Sequence, residues 1–267
     1  MFEPKVSEID AISTAVLSAT PCLQATGLNH QYGSVKAVRE VSLSVAAGEL
    51  LAMIGPNGAG KSTVFGLLSG DFLQSTAKYS TAKILLNRVD ITHASIQTRA
   101  RAGLGRSFQS AVPFLTLSVL DNLRVAAQLC PQPVPEAQIE SILQDSGLMA
   151  AQHTAVADLP YPDWKRLDLA LALVQSPKVL LLDEPTAGLS PLERSAMMGW
   201  VKRIAREQGV GVLFTEHNLG AVFEYADRVL VLDRGSVLAI GTSAEIAANP
   251  QVQAAYTGAY RMQGAAK

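Results

Sequence analysis

The nine residues Gly55, Pro56, Asn57, Gly58, Ala59, Gly60, Lys61, Ser62 and Thr63 limit what this chain can fold into more than any others. They follow an apolar run, Leu50 to Ile54, that reads as a buried strand, and they open into Val64 to Gly70, which reads as a helix. Glycines at 55, 58 and 60 admit backbone conformations closed to other residues, so successive N–H groups can turn inward on a phosphate chain at a helix N-terminus. In that geometry Lys61 reaches the β and γ phosphates, and the Ser62 hydroxyl is a Mg²⁺ ligand. A glycine-rich turn alone would say little. The whole G-x-x-x-x-G-K-S pattern between a strand and a helix predicts a nucleoside triphosphate site.

With 267 residues the chain is long enough for one large domain carrying an inserted piece. Lys and Arg number 22 against 23 Asp and Glu, for a formal charge of −1, so no global basic field argues for nucleic acid. Apolar residues come in short runs such as Val179 to Leu182, far below the roughly 20 that a membrane-spanning helix needs. Cys22 and Cys130 are far apart and lack metal-ligand spacing, which implies a reducing compartment and no disulfide framework.

Residues 1–22 mix Glu3, Glu8 and Asp10 with Ser, Thr and Ala, which reads as a loosely ordered extension and not a secretory signal. From Leu23 apolar and polar residues alternate, with a turn at Tyr32-Gly33 and a second strand at Val41 to Val45. Short strands follow at Lys83 to Leu86 and Val89 to Ile91, then a helix at Ile96 to Arg101 and a strand at Gly103 to Phe108. Leu117 to Gln128 and Glu136 to Ser146 have helical spacing, separated by Pro131, Pro133 and Pro135; with Ala150 to Val156 they read as an all-helical insertion over about 109–165. Strands at 179–183, 210–215 and 229–233 then alternate with helices at 165–176, 192–208 and 219–226. The fold class is therefore α/β: a mostly parallel sheet covered on both faces, an N-terminal antiparallel β subdomain and an inserted all-α subdomain.

Other candidate site residues end buried strands. Asp183 and Glu184 follow Val179 to Leu182, where Asp183 can hold Mg²⁺ and Glu184 can polarise the water that attacks a γ phosphate. Alone, such a pair would be a helix cap or a solvated turn. His217 ends Val212 to Thr215 and can hydrogen-bond the γ phosphate or the carboxylate beside it; its alternative is a partly buried structural histidine. Gln109, at the border of the helical insertion, can reach Mg²⁺ or water, or is an ordinary surface amide. Tyr32 can stack on an adenine face or simply pack.

Taken in order, Tyr32, GPNGAGKST at 55–63, Gln109, a helical insertion, LLLDEP at 180–185 and His217 resemble the ATP-binding cassette family over about residues 23–262, leaving 263–267 as a tail. Within it, GLGRSFQ at 103–109, LSVLDNL at 117–123, DEPTAGLSP at 183–191 and GTSAEIAANPQVQAAYTGA at 241–259 look most like the ATPase subunits of branched-chain amino acid importers and of urea and amide importers. The resemblance implies ATP and Mg²⁺ as ligands, with hydrolysis of ATP driving uptake. It implies two cassettes head to tail, each nucleotide held between one chain's phosphate loop and the other's signature motif. It also implies two integral membrane permease subunits docked near Gln109, a substrate-binding protein beyond them, and a peripheral location on the cytoplasmic face of the inner membrane.

The chain departs from that pattern at Leu159-Pro160-Tyr161-Pro162-Asp163, where the family has a signature like L-S-G-G-Q or L-S-Y-G-D-Q. Prolines replace a hydroxyl and an amide that in the family contact the γ phosphate across the dimer, and proline has no N–H to donate. The expectation is one half of a heterodimer, whose phosphate loop works against a partner's intact signature; rearrangement of the loop is the alternative. Ser190, where many relatives carry an acidic or amide side chain, is a second departure. Two other functions are weighed: a soluble cassette protein of translation or repair, opposed by the lack of paired cassettes or long basic additions, and a weakly hydrolysing regulatory subunit, opposed by the intact Glu184 and His217.

Overall fold

Alternation within the apolar strands builds the core. The computed structural model describes residues 21–72, 82–107 and 113–256. Strands β1 (Pro21–Tyr32), β2 (Val35–Ala46), β4 (Lys83–Leu86) and β5 (Val89–Asp90) form an antiparallel sheet in the order β2-β1-β4-β5. A second sheet has the order β10-β9-β3-β8-β7-β6, from β3 (Leu50–Ile54), β6 (Leu104–Ser107), β7 (Val179–Asp183), β8 (Gly211–Thr215), β9 (Arg228–Asp233) and β10 (Ser236–Gly241). All its pairs are parallel except β9 with β10.

Helix α1 (Lys61–Ser69) and the antiparallel sheet cover one face of this second sheet. There Leu51, Met53, Val179, Leu181, Leu213, Leu230 and Leu232 pack with Val64, Phe65 and Leu68. Neighbouring residues on the same strands, among them Leu50, Ile54, Leu180, Leu182, Phe214 and Val231, point to the other face. They meet α3 (Val119–Gln128), α4 (Glu136–Ser146), α5 (Tyr161–Leu173) and α6 (Pro191–Gln208). A strand sandwiched in this way can be apolar at every position, which is why these runs show no polar alternation.

Short helices α2 (Ile96–Arg101), α7 (Leu219–Tyr225) and α8 (Ser243–Ala248) complete the named elements. Arg99 of α2 is completely buried and locks α1 in place. Its guanidinium donates to the carbonyls of Leu67 and Leu68 at 2.6 Å each, of Thr92 at 2.9 Å and of Ala94 at 3.0 Å. α1 carries no basic residue in its last turn, so this cation answers both the unpaired carbonyls and the negative end of the helix dipole.

Several boundaries differ from the sequence expectation. β2 begins at Val35, six residues before the apolar stretch at Val41, because the hairpin with β1 continues along exposed residues. Residues 150–156 are not a helix; two 3₁₀ turns, Met149–Ala151 and Val156–Asp158, flank a bridge between Ser118 and Ala155. α5 starts at Tyr161 instead of Lys165, since prolines fit the N-cap and first turn, where helix amides have no partner in any case. The two short strands expected at 83–86 and 89–91 are joined by a turn at Asn87-Arg88, both residues having positive φ between β4 and β5. β10, α8 and a helix over 250–256 have no counterpart in that expectation. Of the extension expected over 1–22, Pro21 and Cys22 instead begin β1, where Cys22 is buried in the core; residues 1–20, Phe108 and Gln109, and the chain beyond 256 lie outside the described residues.

Candidate active site

Parallel register brings the candidate residues to one edge. Met53 pairs with Thr215 and Thr215 with Asp183, so β3, β8 and β7 all end at the same rim. Two strand spacings, about 10 Å, separate the start of the phosphate loop from the carboxylates.

The loop itself is shaped by its glycines. Gly58 has φ 79° and Gly60 φ 103°, both left-handed, and Gly60 is the N-cap of α1. A Cβ on Gly60 would lie 2.5 Å from the Ala37 carbonyl oxygen, and one on Gly55 would lie 2.3 Å from that of Leu232, so neither position admits a side chain. Ala59 is buried beneath the loop, while Asn57, Gly58 and Ser62 are exposed and Pro56 and Thr63 half-buried. Lys61 folds back over the loop, its Nζ donating to the carbonyls of Gly55 at 2.7 Å and Pro56 at 3.2 Å. Burial pushes the Lys61 ammonium below its usual pKa, opposed by the charges of Glu184 and Asp183. The lysine therefore feels both carboxylates across the rim.

Asp183 is buried, and the Thr215 hydroxyl donates to its Oδ1 at 2.6 Å. The same hydroxyl oxygen accepts the Glu184 backbone N–H at 3.0 Å. Thr215 thus fixes both acids at once. Glu184 has φ 51°, an unusual value for a residue with a side chain, and its Oε1 lies 2.7 Å from Nε2 of His217. His217 is the more exposed of that pair, at 56% against 25% for the Glu184 side chain, so its ring borders open space. Buried Glu216 accepts the Thr186 amide at 3.0 Å and its hydroxyl at 2.5 Å, pinning the segment after Glu184.

Tyr32 is half exposed and stands edge-on to His30 (centroids 4.6 Å apart) and Phe72 (5.8 Å). Phe72 in turn covers Gly66 of α1, where a Cβ would lie 2.3 Å from its ring. The aromatic group therefore sits on the phosphate-loop helix with Tyr32 half exposed, so the packing and stacking readings are compatible. Thr215, Glu216, Thr186, His30 and Phe72 escaped the sequence reading. Only Glu216, between Thr215 and His217, carried a visible signal.

A family model described as ABC transporter matches residues 38–187, more than half of the chain. The chain belongs to the ABC transporter ATPase family. A second model, described as branched-chain amino acid ATP-binding cassette transporter, matches residues 236–260, the stretch of β10, α8 and the last described helix. The cassette is 34% identical over 255 residues to the high-affinity branched-chain amino acid transport ATP-binding protein LivG of Salmonella typhimurium, covering 89% of this chain and 98% of that one. It is also 34% identical to the lipopolysaccharide export system ATP-binding protein LptB of Acidithiobacillus ferridurans, over 88% of this chain and 96% of that one. Among solved structures, the ADP conformation of an ATP-binding cassette of an ABC transporter superposes with a TM-score of 0.80 at 25% identity, covering 90% of this chain and all of the other. This cassette is a nucleotide-binding ATP hydrolase that serves a transporter.

The donor set at the rim also fits a magnesium ion. Among the described residues there is no cluster of three or more His, Cys, Asp or Glu side chains that would make an all-protein metal cage. One buried carboxylate with Thr215 on a single oxygen, plus an exposed serine hydroxyl at the start of α1, suits a cation that keeps its waters and takes the rest of its ligands from substrate phosphates.

Proposed function

We propose that this cassette powers import of small molecules, branched-chain amino acids first and urea or amides second, as one half of a heterodimer beneath two membrane permease subunits. The observation that carries direction and cargo is the 236–260 match. The chain is 34% identical to both LptB and LivG over most of its length, whereas its C-terminal segment matches a model of branched-chain amino acid cassettes. Residues 23–262 act as the nucleotide-binding domain, with 109–165 as its helical insertion.

The site residues take the following parts. Gly58 to Gly60 present amides to the phosphates on a loop shaped by Gly55, Pro56 and Asn57, Lys61 neutralises the β and γ groups, and Thr63 continues the helix behind them. Ser62, Asp183 and Gln109 would hold Mg²⁺, which supplies charge neutralisation on the phosphate oxygens. Glu184 takes the proton of the attacking water, His217 orients Glu184 and contacts the γ phosphate, and Tyr32 stacks on the adenine. Chemistry is mainly positioning and electrostatics, and closure of two cassettes carries the work to the membrane.

Permease docking is supported by a cavity of about 350 Å³ lined among others by Ile96, Phe114, Leu129 and Leu171. Phe114 and Leu129 are exposed to 57% and 73%, a cost to solubility that a partner surface would remove. Among the described residues no helix is long and apolar enough to cross a membrane, so attachment would be peripheral, on the cytoplasmic face, with a binding protein delivering cargo from the far side.

The heterodimer reading is supported by the first turn of α5. Pro160 and Pro162 offer no N–H, and the amides of Asp163 and Trp164 both bond the Pro160 carbonyl, at 3.0 and 3.1 Å. Few donors remain there for a phosphate, so an active composite site requires a partner's signature. The test is uptake: the complex isolated through a tag on this chain and rebuilt in liposomes should accumulate labelled leucine with ATP and lose that uptake when ATP is withheld. Outward transport, or failure to take up leucine, isoleucine, valine, urea and short amides alike, would contradict the reading.

A further inference from the structure

We propose that Lys165 and Tyr161, in the first two turns of α5, position Glu184 for catalysis from within the same chain. The proposal rests on Glu184 being the general base. Glu184 is a side-chain-bearing residue at φ 51°, a conformation that persists only where its surroundings hold it. Its amide is held by Thr215 and its carboxylate by His217. The third hold is its carbonyl, which accepts from the Ala187 N–H within the loop at 3.2 Å and, from outside the loop, from Nζ of Lys165 at 3.3 Å. That contact comes from a separate element and orients the peptide plane leading into Pro185.

The other end of the same loop is gripped by the same helix. The Tyr161 hydroxyl donates to the Ala187 carbonyl at 3.0 Å. Its ring packs so close to Gly188 that an added Cβ there would sit 2.9 Å from Cε1. Tyr161 and Lys165 are four residues apart, hence on one helix face, and the ammonium stands 6.0 Å from the tyrosine centroid. Residues 184–188 are therefore held at both ends by α5, whose start is the departed signature segment. A shift of that helix relative to the sheet must pull on the Glu184 carbonyl. The prolines leave the α5 start with few phosphate donors while its side chains hold the acid of its own chain.

The test uses the assembled complex. Lys165→Met, which keeps the apolar stem and removes the charged donor, should lower kcat about tenfold or more while KM for ATP stays within about twofold. The unfolding midpoint should not move, and Lys165→Arg should restore most of the rate. In a Glu184→Gln background, Lys165→Met should cost nothing further, because the two act through one group. An unchanged kcat in Lys165→Met, beside a Glu184→Gln complex that has lost turnover, would overturn the proposal alone. So would an equal loss in both backgrounds. Full turnover in Glu184→Gln would overturn the assignment of the base, and the proposal with it.

Discussion

Glu184→Gln is expected to lower ATP turnover of the assembled complex by roughly a hundred- to ten-thousandfold, the range over which removing a general base acts, while ATP affinity stays nearly unchanged. Shape is preserved by the substitution, since the amide can still meet Nε2 of His217 at the 2.7 Å now observed and the backbone N–H still reaches Thr215. What is lost is the capacity to take a proton. Phosphate release under saturating ATP, measured beside equilibrium nucleotide binding, checks both halves. Turnover within tenfold of the parent would assign the proton to another group. A large loss of affinity would mean that Glu184 serves binding more than chemistry.

The second large effect concerns the signature. Wild-type chain alone should fail to close on itself with ATP, because each composite site would meet Pro160 and Pro162. Pro160→Ser with Pro162→Gly returns a hydroxyl and an amide, and two charge-assisted hydrogen bonds correspond to a gain of roughly a hundredfold or more. The helix should survive the change. Pro160 has φ −64° and ψ 152°, which serine adopts readily as an N-cap, and the Pro162 amide position lies in the first turn. Glycine there costs about 1 kcal/mol of helix propensity, less than the expected gain. Size-exclusion chromatography with ATP, in a Glu184→Gln background that holds the closed form, reads the result. A parent chain that dimerises as well as the restored one would end the heterodimer argument.

What the sequence disclosed and what it withheld divide along chain separation. The phosphate loop was legible because its nine residues are contiguous, and Gly58 and Gly60 take the left-handed conformations that their positions imply. Asp183, Glu184 and His217 were legible because each ends an apolar run. Thr215 was not, because its value lies in lateral register: only the pairing of β7 with β8 sets it opposite Asp183. Lys165 was read as the first residue of a helix, and its contact with Glu184 depends on α5 starting one turn earlier, at Tyr161. The C-terminal elements left clues that went unused. Arg234 and Gly235 both have positive φ in the turn into β10, and Thr242 with Glu245 forms the capping box that opens α8.

The central claim is that the loop after β3 and the acids after β7 serve one magnesium-bound triphosphate. A double-mutant cycle tests it most directly: the affinity of the full chain for magnesium and a non-hydrolysable ATP analogue, in the parent, Lys61→Ala, Asp183→Asn and the double variant. The account predicts that each single change weakens binding and that the two losses are coupled by more than about 1 kcal/mol, as for groups sharing a ligand. Losses that add to within about 0.5 kcal/mol, the behaviour of independent sites, would contradict it.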